Sequence, residues 1–112
     1  NDYQTTYTVV SEILREHPEL EGIYMANLNV SGCVEAVRSA GKKGKIRVIC
    51  HDINESIRRM LLDGGVDFTI PQDFERQGYL PLILLRDYLR KKIVPEDGRT
   101  GGRIGIICAE NL

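Results

Sequence analysis

The sequence predicts an α/β fold with a mostly parallel sheet flanked by helices. Short apolar runs alternate along the chain with longer segments whose apolar residues recur at helical spacing. In the strand predicted over 46–51, Val48, Ile49 and Cys50 form a continuous apolar run, which is typical of a parallel-sheet strand buried on both faces. The chain has 112 residues, of which 42% are hydrophobic and 28% charged, so it holds one domain rather than two.

The first half of the chain predicts a helix, a strand and a second helix. Apolar residues from residue 3 to about 16 fall on one helical face, and the helix ends before Pro18 because the residue preceding proline avoids helical geometry. Residues 22–26 form a short buried strand. A second helix runs from Val30, and Gly41 is its natural C-terminal stop.

The second half continues the alternation. After the strand 46–51, Asn54 caps a helix that closes at Gly64 and Gly65. The residues 66–70 are predicted to form a third strand. A polar, glycine-rich loop over 95–102 leads to a final strand over 103–108.

The longest helix covers roughly residues 74–91 and begins after the capping residue Asp73. Its apolar residues cover more than one face, and a helix that is apolar nearly all round is normally buried. Three strands are too few to enclose it. We therefore expect this helix to pack against protein that lies outside this chain, or against a second copy.

Charge and cysteine usage restrict the classes of function. The net charge of −1 argues against a nonspecific nucleic-acid or membrane binder, and no apolar stretch reaches the ~20 residues that span a bilayer. The three cysteines, Cys33, Cys50 and Cys108, lie far apart in apolar contexts, which predicts buried free thiols and a reducing, cytoplasmic compartment. The chain starts at Asn1 without a methionine, so we expect it to be a piece of a longer protein.

Polar side chains follow three of the predicted strands. Asn27 (or Asn29) follows the first, Asp52 ends the second, and Gln72 follows the third. Because the carboxyl ends of parallel strands share one edge of a sheet, an amide, a carboxylate and an amide should converge there. This set suits a polyhydroxylated ligand, since the carboxylate accepts from adjacent hydroxyls while the amides donate and accept.

Other roles for these residues remain open. Asp52 could cap the following helix, Asn27 could be a turn residue, and Gln72 could be a surface amide. The sequence contains none of the nucleophile-elbow, phosphate-loop or dinucleotide-binding motifs, and its two histidines and scattered cysteines lack metal-ligand spacing. We therefore predict a protein that is not an enzyme and that uses no cofactor and no metal.

Three segments resemble a known family. The residues 17–24 (HPELEGIY), 48–52 (VICHD) and 69–79 (TIPQDFERQGY) are similar to the sugar-binding core shared by lactose-repressor-type regulators and type I periplasmic binding proteins. The resemblance implies two α/β lobes with the ligand in the cleft between them. It implies that this chain is the C-terminal lobe plus the last crossover helix, with Asp52, Gln72 and Asn27 or Asn29 as ligand-binding residues.

The residue His51 and the free cysteines favour the regulator branch. The first hypothesis is therefore the effector-binding part of a lactose-repressor-type regulator that senses a sugar. The resemblance implies a homodimer formed through helices near 30–41 and 55–62, and binding of operator DNA through an N-terminal helix-turn-helix outside this chain. The alternatives are a periplasmic sugar-binding protein of a transport system, and a small stand-alone α/β enzyme or receiver-like domain.

Overall fold

The computed structural model describes residues 2–27, 29–95 and 104–112. Seven helices and strands are assigned among these residues, in the order α1 (Asp2–Glu16), β1 (Gly22–Met25), α2 (Val30–Ser39), β2 (Arg47–His51), α3 (Glu55–Leu62), β3 (Phe68–Ile70) and α4 (Phe74–Lys91). The described residues divide into two compact units, one over 2–27 and 29–71 with 106–112, the other over 72–95 with 104–105. The α/β class predicted from the sequence is confirmed.

In the first unit, the three strands form a parallel sheet in the order β1-β2-β3. Gly22 pairs with Arg47 at the start of β1, and Ile49 pairs with Phe68 at the start of β3. The predicted final strand over 103–108 is reduced to one antiparallel bridge, between Ile107 and Thr69. Residue 103 and most of the predicted loop, 96–102, lie outside the described residues.

One face of this sheet carries the core. Along β2, the side chains of Val48 and Cys50 are buried, whereas Arg47 is exposed and Ile49 and His51 are half-buried. The buried cluster joins this face to α1, α2 and α3: Val10, Leu14, Met25, Val30, Cys33, Val34, Ala36, Val37, Ile46, Val48, Cys50, Ile57, Met60, Leu61 and Val66. The expectation that β2 is buried on both faces is therefore wrong for the described residues, because the helices of this unit cover a single face.

The helix ends follow the local chemistry of the sequence. The Asn54 side chain accepts a hydrogen bond of 2.8 Å from the Ile57 amide and so caps α3, as predicted. The Asp73 side chain caps α4 in the same way, by accepting from the Arg76 amide at 3.0 Å. Gly41 has a φ of +71° just after α2, where a residue without a Cβ adopts the left-handed conformation at little cost.

The second unit is built on α4. The helix has the predicted bounds and continues through Pro81, but no residue of it is buried in this chain. Tyr79, Leu82, Leu85 and Leu89 are each more than half exposed and recur at helical spacing along one stripe. The described residues therefore do not bury α4, although its sequence predicts a buried helix.

We expect the isolated 112-residue chain to self-associate, because α4 exposes this apolar stripe to water. Light scattering coupled to size-exclusion chromatography should give a mass above that of a monomer, 12.6 kDa. Replacing Leu82 and Leu85 together with Gln should return the chain to a monomer. A wild-type chain that elutes as a monomer at micromolar concentration would contradict this expectation.

Candidate functional site

Asn27 and Asp52 lie at the same edge of the sheet. The parallel register pairs Met25 with Cys50, and each of the two polar residues follows its strand's member of this pair by two positions. The two residues therefore follow neighbouring strands at the same edge of the sheet. This arrangement agrees with the one predicted for these two residues, and their binding of a ligand stays a prediction.

The Asn27 side chain forms the turn that follows β1. Its Oδ1 atom accepts a hydrogen bond of 3.1 Å from the Asn29 amide, so the turn interpretation of Asn27 is correct. Asn27 itself is exposed, and its side-chain NH₂ group is a donor that the turn does not use. Asn29, which is half-buried, precedes α2 as its N-cap residue without a capping side-chain hydrogen bond.

Asp52 has an unusual backbone conformation. Its φ angle is +70°, in the left-handed region that residues with a Cβ seldom adopt. Its amide donates to the Ile70 carbonyl at 3.0 Å, and its carbonyl accepts from the Thr69 hydroxyl at 2.5 Å. The N-cap of α3 is Asn54, so capping of α3 is not the role of Asp52. Such a conformation costs about 1–3 kcal/mol and is found preferentially at functional sites.

Gln72 follows the third strand, as predicted. β3 ends at Ile70, which pairs with His51, and Gln72 comes two positions later as the first residue of the second unit. Its side chain is exposed. The convergence of Gln72 with the other two polar residues stays a prediction. Phe74, an aromatic residue close to Gln72 in the sequence, is 64% exposed at the start of α4.

Sequence reasoning missed the contact between Tyr24 and His51. The Tyr24 hydroxyl is hydrogen-bonded to His51 Nε2, and the two rings meet edge to face with centroids 5.5 Å apart. Because Tyr24 pairs with Ile49, two positions before His51, both side chains lie on the face of the sheet opposite the core. The alternation of side chains along each strand shows which face each residue occupies. The contact itself could be predicted only by knowing the register between β1 and β2.

Two of the three predicted buried thiols are fully buried. Cys33 and Cys50 have no exposed surface, whereas Cys108 is half-buried, and all three are free. Burial raises the pKa of the Cys33 thiol from 9.0 to about 11, and the nearby Cys50 adds to the shift. Burial also raises the pKa of the Cys50 thiol. A hydrogen bond with the Thr69 side chain lowers this pKa in part, and the negative charge of Asp52 raises it further.

The raised pKa of Cys33 predicts that stability falls at alkaline pH. The folded protein keeps the thiol proton while the unfolded chain releases it, so the contribution is complete below pH 9 and is lost as the pH rises through about 11. The loss should approach about 2 kcal/mol of unfolding free energy. Urea titrations over this interval would measure it. The variant Cys33→Ala should lose less, and an identical decline in both proteins would contradict the assignment.

Metal binding and membrane insertion are two further properties on which the described residues give information. Among residues 2–27, 29–95 and 104–112, no group of three or more His, Cys, Asp or Glu side chains could hold a metal ion. Within the same residues, none of the helices has both the length and the apolar character needed to cross a membrane.

The sequence matches a known family of binding proteins. The family model described as "periplasmic binding protein domain" matches residues 1–93, which is most of the chain. The chain therefore belongs to the periplasmic binding protein domain family, and its fold is a part of the periplasmic-binding-protein-like type I fold.

Two curated relatives carry specific names. A D-ribose/D-allose-binding protein of Pseudomonas aeruginosa is 39% identical over 70 residues, which are 62% of this chain and 22% of the relative. A D-allose-binding periplasmic protein of Escherichia coli is 32% identical over 91 residues, which are 80% of this chain and 29% of the relative. The chain thus spans less than a third of the length of these relatives.

Solved structures agree on the fold. A glucose-galactose binding protein from Geobacillus stearothermophilus superimposes with a TM-score of 0.85 at 21% identity, covering 100% of this chain and 39% of that one. A solute binding protein of an ABC transporter from Agrobacterium vitis, bound with α-D-tagatopyranose, gives a TM-score of 0.79 at 28% identity, covering 99% and 37%.

The comparisons correct two predictions. The cytoplasmic location is wrong, since the relatives include a protein named as periplasmic. The free thiols of Cys33 and Cys50 failed as indicators of compartment because burial protects them from oxidants anywhere. The broader resemblance to periplasmic binding proteins is confirmed, but the relatives described here are binding proteins and give no support to the lactose-repressor branch.

Proposed function

We propose that this chain is the C-terminal part of a periplasmic sugar-binding protein of a transport system. The observation that carries the proposal is Asp52, held in a left-handed conformation beside Asn27 at the carboxyl end of the sheet. In open α/β sheets this edge is where ligands bind. The names of the two curated relatives support a monosaccharide as the ligand. The proposed role is binding without catalysis, cofactor or metal.

The proposed site uses Asp52, Asn27 and Gln72, with Asn29 as the alternative to Asn27. The Asp52 carboxylate accepts hydrogen bonds from two adjacent sugar hydroxyls, and each such bond to a charged group contributes about 1.5–3 kcal/mol. The NH₂ group of Asn27 donates to a third hydroxyl, while Gln72 donates and accepts. Asp52 is therefore the largest single polar contribution to affinity.

We infer that the whole protein has two lobes and that this chain forms one of them with the last crossover helix. The chain covers only 22% and 29% of the two curated relatives, so most of a comparable protein lies outside it. The exposed apolar stripe of α4 is consistent with a missing neighbour. Closure of two lobes around a ligand is a known way in which such proteins signal occupancy to a partner.

A lactose-repressor-type regulator is the second candidate, suggested by His51 next to Asp52, since the three matching sequence segments are common to both classes. It would add a homodimer through α2 and α3, and operator DNA bound by a separate N-terminal domain. The coding sequence upstream of Asn1 separates the two candidates. A secretory signal peptide is expected for the transport protein, and a helix-turn-helix for the regulator.

Ligand binding is tested in the full-length protein, as encoded by its complete reading frame. The melting temperature is measured with D-ribose, D-allose, D-glucose, D-galactose and D-tagatose, the sugars suggested by the names of the relatives. At a hundredfold excess over the dissociation constant, a ligand stabilises its protein by about 2.7 kcal/mol, a readily measured shift. A protein that none of the five sugars stabilises would contradict the proposal.

A further inference from the structure

Thr69 has the only fully buried polar side chain among the described residues. It lies in the middle of β3 with no exposed surface. Its Oγ1 atom is 3.2 Å from the Cys50 carbonyl and 2.5 Å from the Asp52 carbonyl. A hydroxyl has one hydrogen to donate, so one of these carbonyls receives it at a time, and the shorter distance identifies Asp52 as the main acceptor.

Thr69 is itself held firmly in place. Its amide donates to the Ile107 carbonyl at 2.8 Å, and its carbonyl accepts from the Ile107 amide at 2.9 Å. On the other side, the parallel register aligns Thr69 with Cys50 of β2. Because threonine is branched at Cβ, its side-chain torsion is also restricted. The hydroxyl therefore approaches β2 from a fixed position.

The two backbone groups of Asp52 both bond to β3. The Asp52 amide donates to Ile70, and the Asp52 carbonyl accepts from the adjacent Thr69. Rotation about either backbone torsion of Asp52 would break one of these hydrogen bonds. Together they hold a residue that otherwise disfavours a φ of +70°. The direction of the Asp52 side chain from the backbone is thereby fixed.

We propose that Thr69 is a positioning residue of the ligand site: its hydroxyl fixes Asp52 in the left-handed conformation and so directs the carboxylate toward the ligand. This inference rests on the proposed function, because it assigns a ligand to Asp52. Valine has nearly the same shape as threonine and is also enriched in strands, so the packing of β3 does not need the hydroxyl. The shortest contact of the hydroxyl is with the Asp52 carbonyl, and its main role is therefore the geometry of Asp52.

The test compares Thr69→Val with Thr69→Ser in the full-length protein. Dissociation constants for D-ribose and D-allose are measured by titration calorimetry, and melting temperatures are measured without ligand. Thr69→Val, which lacks the hydroxyl, should weaken binding by about tenfold, as expected for the loss of one hydrogen bond that orients the ligand-binding group. Thr69→Ser restores the hydroxyl and should bind nearly as tightly as the wild type.

A matched control separates positioning from general stability. Val10→Ala removes buried carbon atoms from α1, far along the chain from the site, and should lower the melting temperature without changing the dissociation constant. If Thr69→Val does not fold, Thr69→Ala removes the same hydroxyl with a smaller side chain. If the wild type binds the sugar and the variant without the hydroxyl binds it equally well, this inference alone is wrong. A wild type that binds neither sugar overturns the proposed function and this inference with it.

Discussion

Replacing Asp52 with Ala in the full-length protein is expected to abolish stabilisation by sugar while the protein still folds. The variant loses a carboxylate whose hydrogen bonds to hydroxyls contribute about 1.5–3 kcal/mol each, so affinity should fall by about ten- to a hundredfold or more. The measurement is the sugar-dependent shift in melting temperature, confirmed by calorimetric titration. Asp52 is half-buried and is not a member of the buried core cluster, so removal of its side chain leaves no large cavity.

The backbone of Asp52 allows a sharper version of this experiment. Alanine is disfavoured at a φ of +70°, so Asp52→Ala should itself lose about 1 kcal/mol of unfolding free energy. Asp52→Gly removes the same carboxylate but adopts this conformation freely, and it should melt close to the wild type without ligand. Asp52→Asn keeps a residue that tolerates the left-handed region and removes only the charge.

The control for charge removal is Glu12→Gln, an exposed carboxylate on α1. It should respond to sugar as the wild type does. If Asp52→Gly and Asp52→Asn both gain as much thermal stability from the sugar as the wild type, Asp52 is not part of the binding site. If the glycine variant melts well below the wild type without ligand, the strain attributed to the aspartate is wrong.

The order of the elements could be predicted because local chemistry determines it. Asn54 and Asp73 each precede a helical pattern, and each caps its helix in the structure. The apolar runs predicted the bounds of β1, β2 and β3 to within two residues. Because a helix connects each strand to the next, the strands were expected to pair in parallel. The placement of Asn27 and Asp52 at one edge followed from the parallel arrangement alone.

The features that depend on contacts between distant residues could not be predicted. The left-handed conformation of Asp52 depends on Thr69 and Ile70, which are 17 and 18 positions away in sequence. The pairing of Tyr24 with His51 required the exact offset between two strands. The burial of only one face of the sheet depends on α1, α2 and α3 packing together against that face. None of these has a signature in a window of neighbouring residues.

The prediction of a cytoplasmic location failed for a related reason. Cys33 and Cys50 were interpreted as signs of a reducing compartment, but they are buried side chains of the core and have raised pKa values. A thiol that is neither ionised nor accessible reacts slowly with oxidants, whatever the compartment. Residues that serve packing therefore carry little information about location.

Replacing Gly32 with Ala is expected to destabilise the protein, although alanine is the better helix former. Gly32 lies within α2, where α1 packs closely. A Cβ built at this position would be 2.7 Å from the Tyr3 carbonyl oxygen and 3.2 Å from the Thr6 Cβ atom. Because the nearest atom belongs to the backbone, α1 as a whole must move away from α2.

The magnitudes decide the sign of this prediction. Alanine gains about 1 kcal/mol over glycine from helix propensity. Overpacking a close contact between elements costs about 1–3 kcal/mol, and a contact below 3 Å to a backbone atom lies at the upper end of that range. We therefore expect a net loss of about 1–2 kcal/mol, which lowers the melting temperature of a domain of this size by about 5 °C or more.

The matched control is the same substitution in a helix with open space around it. Gly78 lies within α4, and a Cβ at this position would meet no atom of the described residues within 4 Å. Gly78→Ala should therefore raise helix content by circular dichroism without lowering the melting temperature, since only the propensity gain of about 1 kcal/mol remains. Opposite signs for Gly32→Ala and Gly78→Ala would establish that close contact between α1 and α2 selects glycine. If Gly32→Ala also stabilises the protein, the two helices pack less closely than the structure shows.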